Sequence, residues 1–375
     1  MPMEHVVVVG GGVLGTMHAV AACRRGMSVT HLEADPEPQG ATVRNFGFLQ
    51  VSVRAPGPEL ETAIRGRSIW AELGNHIPGI GFRPDGSIIV LSQPEEMEFA
   101  RKVIEREDFT KRGLNLLNAD EVHNINPTLN GHYLGGLHSS IDAVVEPRTA
   151  LPAIRDWLAS SGSYRFHSST VVVDLRASGV TDQRGAQHSG DHVILCPGAV
   201  SHGLTATLLE RQAQYPVYLQ MFQTDPFPSR LTTAVAGGDV MRDYPGFDLP
   251  GRATLPALPE VALRFDSHLL VTQRAGGELT IGDTHHSGLP LPFDIDETPF
   301  EYLKARVETI LGTELPTIRR RWSGVYGRLP RGDLCLRRQI HDHATLVTGL
   351  GGRGMTISPA VAETTFEILL GEETK

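Results

Sequence analysis

Apolar positions along this chain fall into two periods. Val6 to Val9 form a run of four valines that reads as a buried strand, and it passes through Gly10, Gly11, Gly12 and Gly15 into an apolar helix-like stretch. A second apolar strand follows and ends at Glu33, so the chain opens as strand, glycine turn, helix, strand. After the Pro56 to Pro58 punctuation, Leu60, Ile64, Trp70, Ala71 and Leu73 recur at roughly helical intervals and predict an amphipathic helix. Gly86 to Leu91 reads as a strand. Pro94-Glu95-Glu96 opens a helix expected to run to Gly113, with acids early and Lys111 and Arg112 late, as the helix dipole favours. Pro147 to Gly162 predicts another helix. Val171 to Asp174, His192 to Cys196, Leu269 to Gln273, Leu279 to Asp283 and Thr345 to Thr348 predict strands. Thr298-Pro299-Phe300-Glu301 is a capping-box signature for a helix to about Gly312. The stretch from about 225 to 260 is rich in Pro and Gly, and reads as an irregular excursion or a mobile loop over a site.

Length and charge narrow the class. A chain of 375 residues exceeds what one core usually supports, so two domains are expected, with segments that need not be contiguous. The formal charge of −9, without a basic cluster interleaved with aromatics, argues against a nucleic-acid partner. Cys23, Cys196 and Cys335 are far apart and form no CxxC pair, so free thiols, a reducing compartment and no metal site are expected. Glycines break the first apolar run well short of a membrane span, and no basic segment precedes it. A cytoplasmic protein with no membrane partner is the expectation.

The glycine spacing carries chemistry. Gly10 permits the tight turn, Gly12 lets backbone approach a pyrophosphate, and Gly15 allows close helix–strand packing, while the helix N-terminus offers N–H groups to the anion. Glu33 stands 23 residues after Gly10, where an acid accepts a hydrogen bond from a ribose hydroxyl and repels a 2′-phosphate. Near the other end, the Thr345 to Thr348 strand runs into Gly349, Gly351, Gly352 and Gly354, with a helix expected from near Ser358-Pro359. A second glycine loop aimed at a helix start suits a cofactor with a second electron-rich end, such as a flavin ring. His192 to Ala199 reads as a strand returning to the nucleotide domain, and Thr42 to Gly47 as a loop that could flank the ribityl chain and the ring.

The succession Gly10-x-Gly12-x-x-Gly15, Glu33, Arg44-Asn45-x-Gly47, Cys196-Pro197-Gly198-Ala199, Gly282-Asp283-Thr284 and Gly351-Gly352-x-Gly354-Met355-Thr356 resembles the FAD-dependent D-amino-acid oxidase superfamily, which includes glycine and sarcosine oxidases. The resemblance spans essentially the whole chain. It implies an α/β chain, α+β overall: a Rossmann-type FAD-binding domain from 1–81, 142–215 and 324–375, and a substrate domain from 82–141 and 216–323 with a mixed, largely antiparallel sheet. It also implies FAD contacts at Gly10, Gly12, Gly15, Glu33, Asn45, Gly47, Val171, Gly198, Gly352, Gly354, Met355 and Thr356, with Val13, Leu14, Ala34, Arg44, Phe46 and Cys196 beside them. Sarcosine oxidases attach flavin through a cysteine in the segment that here reads Gly324-Val325-Tyr326-Gly327-Arg328, so noncovalent FAD is expected, with Cys335 the one thiol nearby in sequence. The Val43 to Phe48, Gly282 to His285 and Gly352 to Ser358 runs are most similar to a subgroup associated with aminophosphonate breakdown.

Flavin amine oxidation moves a hydride from the carbon bearing nitrogen to flavin N5, and the imine then hydrolyses. The protein must orient the C–H bond, favour a neutral amine and hold the anionic end. Arg44, Arg328 and Arg353 are candidate anion holders, Arg353 first because its glycine loop should border the flavin. His285, and less so His286, could bind a phosphonate or relay a proton. Tyr326 could touch substrate or flavin, and Trp322 reads as core. The expected reaction is oxidative deamination of a small anionic amine, 2-aminoethylphosphonate or its N-methyl derivative, to phosphonoacetaldehyde, with O2 or another electron acceptor. A glycine/sarcosine-type oxidase and a NAD-dependent dehydrogenase are the alternatives.

Overall fold

The computed structural model describes residues 3–209, 213–330 and 332–372. Two sheets organise the chain. The first has six strands in the order Leu336–His341, Ala344–Thr348, His192–Leu195, His5–Val9, Ser28–Leu32 and Tyr164–His167, parallel throughout except at the antiparallel edge strand Leu336–His341. In the His5–Val9 strand, Val6 and Val8 face one core and Val7 the opposite one, as period-2 alternation in a doubly covered sheet requires. Helices Val13–Arg24, Pro58–His76 and Gly354–Leu370 cover the Val6/Val8 face, and a three-stranded meander from Val172 to Ser189 covers the other.

The second sheet has nine strands, in the order His286–Ser287, Tyr215–Pro226, Glu278–Gly282, Leu270–Gln273, Ala234–Gly237, Ser87–Leu91, Gly135–Ser139 and Leu114–Asn118. Strand Ile318–Arg328 also pairs with Tyr215–Pro226. All its pairings are antiparallel except Ala234–Gly237 with Ser87–Leu91. This is the mixed, largely antiparallel sheet expected. Ile89 and Leu91 face a core shared with helix Pro94–Ile104, while Ile88 and Val90 face helix Thr298–Leu311. The sequence positions 215 and 324 fall inside strands of this second sheet, Tyr215–Pro226 and Ile318–Arg328.

Three expectations are corrected, and for the 225–260 stretch the first of two readings holds. The helix opening at Pro94 stops at Ile104 rather than Gly113; Lys111 and Arg112 lie in a separate 3-10 turn ended by Gly113 at φ 60°, a conformation glycine adopts without cost. The Thr298 capping box is replaced by Asp296, whose Oδ1 accepts the Thr298 N–H at 2.9 Å. The 225–260 stretch is a packed excursion, with Val240, Met241 and Phe247 fully buried. The last helix starts at Gly354, four residues ahead of Ser358, and so contains Pro359. Proline lacks the N–H that should reach the Met355 carbonyl, and Trp70 Nε1–H takes its place at 2.7 Å. Trp70 is fully buried, and a side chain at Gly66 would stand 2.2 Å from Thr356 O, so the two helices touch through backbone.

Candidate functional site

Because the first sheet is parallel, the carboxyl ends of its strands share one edge, where ligands of such sheets bind. The Gly10 to Gly12 turn, Glu33 and Ala34, Val171, the Cys196 to Gly198 turn and the Gly349 to Gly354 loop all follow strands ending there. Gly10 is at φ 107° and its added Cβ would stand 2.3 Å from Cys196 O; at Gly15 it would stand 1.9 Å from Gly10 O, so both glycines are fixed by internal packing. At Gly12 the nearest atom is 3.3 Å away, and at Gly198 and Gly354 none lies within 4 Å. Glu33 is buried, its Oε2 accepting the Gly11 N–H at 2.5 Å and Oε1 the Asp35 N–H at 2.9 Å. No side chain caps Gly12 or Arg353, the residues preceding the first and last helices, although Thr42 Oγ1 accepts the Val13 N–H at 3.0 Å. Two helix starts facing one open edge with a carboxylate between them fit the phosphates and ribose of a dinucleotide.

Several expected contacts are engaged internally. Asn45 uses its amide on Ala41 O, Thr42 O and the Gly47 N–H, bracing its own loop. Gly47, at φ 68°, lies against Val145 O, and the Phe46 carbonyl accepts from Thr272 Oγ1 and Arg274 Nη1. The Val171 N–H is donated to Gln183 Oε1 at 2.7 Å. Val13, Leu14, Met355 and Thr356 are buried in the first turns of their helices. Cys196 is buried, and burial pushes its thiol pKa up.

The C-terminal loop meets the second sheet. Tyr326 and Arg328 alternate on strand Ile318–Arg328 and stand beside the loop, with the Tyr326 hydroxyl 3.7 Å from a Cβ built on Gly352 and Arg328 Cγ 3.7 Å from one built on Gly351. From Tyr326 a chain of side chains leads round. His285 lies 6.5 Å from the Tyr326 ring centroid, His268 5.0 Å from His285, and Tyr244 5.7 Å from His268. The stretch holding Tyr244 meets the turn holding Arg54 through the Gly246 N–H on Val53 O at 2.8 Å; Arg54 stands 4.0 Å from Glu59, and Glu59 pairs with Arg353 at 3.2 Å. Arg353 returns to the loop, so the links close into a ring.

The arginines divide differently from the sequence expectation. Arg353 spends Nη1 on Glu59, Nε on Leu350 O and Nη2 on Asp333 O, so it braces the loop. Arg44 likewise donates to Gln39 O and Ser323 O. Arg328 is exposed at the rim. Arg54, unmarked by any sequence motif, is 5% exposed and donates Nε–H to Gln50 O at 2.8 Å, and among the described residues its closest carboxylate is Glu59 at 4.0 Å. Its outer N–H groups remain for an anion.

His268, Asp243, Asp239 and Tyr244 were equally silent in the sequence. Burial disfavours the His268 imidazolium, but the Asp243 hydrogen bond at 2.8 Å and the nearby Asp239 and Asp283 carboxylates outweigh that and raise its pKa to about 9. Burial pushes the Asp283 carboxyl up and leaves its Oδ1 without a partner. Tyr326 and Tyr244 are pushed up by burial and stay protonated as hydrogen-bond donors. His285 lies just beyond strand Glu278–Gly282, and His286 is exposed on the edge strand, so only His285 joins the ring. Trp322, expected in the core, is half-buried with Nε1–H on Arg44 O and the Arg148 guanidinium over its ring. A cavity of about 470 Å³ elsewhere, near Arg83 and Arg274, shares no residue with the ring; Arg83 is paired with Glu146 and Arg274 clamps the Asn45 and Phe46 carbonyls.

Comparison with known proteins agrees with this architecture. The profile of the family described as FAD dependent oxidoreductase matches residues 5–368. Glycine oxidase from Bacillus cereus ATCC 14579 superposes with a TM-score of 0.80 at 19% identity, over 99% of this chain and 96% of that one. L-proline dehydrogenase from P. horikoshii superposes with a TM-score of 0.77 at 20% identity, over 100% and 95%. The tRNA 5-methylaminomethyl-2-thiouridine biosynthesis bifunctional protein of Chromohalobacter salexigens is 46% identical over 54 residues, which is 14% of this chain and only 8% of that protein. Among the described residues no helix is long and apolar enough to cross a membrane.

Proposed function

We propose, on the premise that the chain belongs to the family of FAD-dependent oxidoreductases, that it oxidises a small amine carrying an oxyanion, with 2-aminoethylphosphonate or its N-methyl derivative as the substrate class. The observation that carries the reading is the meeting of positive charge with the C-terminal glycine loop: the buried Arg54 fork and His268, whose pKa is raised to about 9, stand in the same ring as Tyr326, which lies beside Gly352. Two such donors suit a phosphonate or carboxylate, because charge-assisted hydrogen bonds in a poorly hydrated pocket are stronger than neutral ones.

Noncovalent FAD would be held by the Gly10 to Gly15 turn, Glu33, the Cys196 to Gly198 turn and the Gly352 to Thr356 helix start. When bound it supplies the two-electron acceptor for the carbon–nitrogen bond. The chain's own groups then do the rest. Arg54 and His268 hold the anion; Tyr326 and Tyr244, both neutral, donate hydrogen bonds; His285 can take the ammonium proton, since its Nδ1 lies on the Asp266 carbonyl and its Nε2 is turned toward the ring. Loss of one C–H and one N–H leaves an imine, and water converts it to an aldehyde and ammonia or methylamine.

The test is anaerobic mixing of purified protein with 2-aminoethylphosphonate, N-methyl-2-aminoethylphosphonate, glycine and sarcosine while following flavin absorbance, with the aldehyde identified afterwards. Bleaching by the aminophosphonates with phosphonoacetaldehyde as product supports the reading. Bleaching by glycine or sarcosine alone replaces it with an amino-acid oxidase; a colourless protein that binds NADH replaces it with a nicotinamide-dependent dehydrogenase. Exposure of reduced protein to O2 decides between oxidase and dehydrogenase. Cytoplasmic residence and the division into an FAD domain and a substrate domain belong to the same proposal.

A further inference from the structure

We infer that His268, Asp283 and His285 form a binding site for one divalent transition-metal ion, at the ring of side chains that includes Tyr326 and Tyr244. One nitrogen of each imidazole and one carboxylate oxygen lie within 4.8 Å of one another, a spacing from which small side-chain rotations bring two nitrogens and an oxygen onto a common ion. The inference departs from the sequence expectation of no metal, which rested on the absence of paired cysteines. Nothing in the spacing of residues 268, 283 and 285 reveals the cluster, because pairing of the flanking strands Leu270–Gln273 and Glu278–Gly282 creates it.

Each histidine is already oriented as a ligand would be. Metal-bound imidazoles almost always give their second N–H to a carboxylate or a backbone carbonyl, which fixes the ring and the tautomer. His268 has Nε2 on Asp243 Oδ2 at 2.8 Å, and its Nδ1 is buried without any partner among the described residues. His285 has Nδ1 on the Asp266 carbonyl at 3.0 Å, which leaves Nε2 free 3.5 Å from Asp283 Oδ2. Both rings therefore have one nitrogen committed and one available.

The third ligand is independently anomalous. Asp283 is 7% exposed and its Oδ1 makes no hydrogen bond, a state that costs on the order of 1–3 kcal/mol for a polar atom and more for a charge. Asp243 and Asp266 also border the cluster, at 2.8 and 4.0 Å from His268 Nε2, so a cation is favoured at this point. Two imidazoles and one carboxylate select zinc, manganese, iron(II) or cobalt over magnesium and calcium, which prefer all-oxygen cages. Three protein ligands leave positions open for water or for the oxygens of an anionic substrate; in the metal-loaded protein the ion would take the anion-holding place of His268 and His285 would no longer take a proton, and this assignment alone rests on the proposed aminophosphonate reading.

The probes are Zn(II) and Mn(II) alone, added to the flavin-loaded protein with no amine present, so the outcome is separate from substrate identity. Equilibrium dialysis should give one ion per chain with Kd at or below about 10 µM, in keeping with a three-ligand site. Asp283→Asn and His285→Gln should each weaken it by about 100-fold, while His286→Gln, an exposed neighbour, leaves it unchanged. Pulsed EPR of bound Mn(II) in the unmodified protein should show nitrogen couplings from imidazole, a readout that needs no variant. Absence of stoichiometric binding at ~1 mM metal, equal affinity in the ligand variants, or bound Mn(II) without nitrogen coupling would each overturn the assignment.

Discussion

Replacing Trp70 with phenylalanine tests how the C-terminal loop is held. The Met355 carbonyl has lost its helical donor to Pro359, and Trp70 Nε1–H, at 2.7 Å and fully buried, is what satisfies it. Phenylalanine fills most of the same space but offers no N–H. The buried carbonyl left without a donor costs about 1–3 kcal/mol, and the smaller ring adds roughly 1 kcal/mol of lost packing. A total near 3 kcal/mol follows. For a chain of 375 residues at about 2.1 cal/mol/K per residue, the unfolding entropy is roughly 0.8 kcal/mol/K, so Tm should fall by about 4 °C. The decisive assay is a double-mutant cycle by thermal unfolding. Pro359→Ala restores an N–H for the same carbonyl, so Trp70→Phe should cost about 1–2 kcal/mol less in that background. Additivity within about 0.5 kcal/mol would refute the compensation between indole and proline.

Two other outcomes follow from the same reasoning. Asp108 is opposed by burial but held below the usual carboxylate range by Arg112, which is 1% exposed, and by Arg106. Its contribution is therefore present above the unfolded value near ~3.9 and is lost as pH falls through the lower folded value, so Asp108→Asn should cost about 3 kcal/mol at pH 7. The two unfolding curves should converge in strong acid; a constant gap would show that Asp108 acts through packing instead of charge. Arg54→Met should raise KM and lower kcat/KM by about 10²-fold or more with flavin content unchanged, whereas Arg328→Ala at the exposed rim should change it less than about threefold. Stopped-flow flavin reduction measures both, and equal losses would remove Arg54 as the anion holder.

The nucleotide half was the legible half. Its signals are local: Val6 to Val9 alternate between two cores, and Gly10, Gly15 and Gly47 are required by backbone approaches that no side chain survives. The second sheet was legible as strands and as part of a site, through Tyr326, Arg328 and His285, but Arg54, Tyr244 and His268 were missed. Tyr244 lies in the irregular 240–255 stretch, Arg54 in a turn, and His268 just ahead of a strand, and none belongs to a periodic pattern. They meet only because Gly237 N–H pairs with Leu269 O and Gly246 N–H with Val53 O, contacts between stretches far apart in sequence. The misplaced helix ends have a similar cause. At Gly113 a left-handed glycine ended a 3-10 turn rather than the helix, and at Pro359 a tryptophan from another helix supplied the donor that a proline-free sequence would have supplied itself.

The order of strands in the first sheet has a consequence for biosynthesis. The fingerprint strand His5–Val9 is synthesised before both strands that flank it, Ser28–Leu32 and His192–Leu195, and Ala344–Thr348 later joins the latter's outer edge. The first helix is covered by the Gly354–Leu370 helix, to which buried His18 is tied through Thr365 Oγ1 at 3.0 Å. Until residues 344–370 emerge, a nascent chain therefore carries its Gly10 to Gly15 turn with one flank of the sheet missing and an apolar helix face bare. Flavin capture should follow the emergence of Gly354–Leu370, and the interval before it is when a ribosome-bound chain most needs a chaperone.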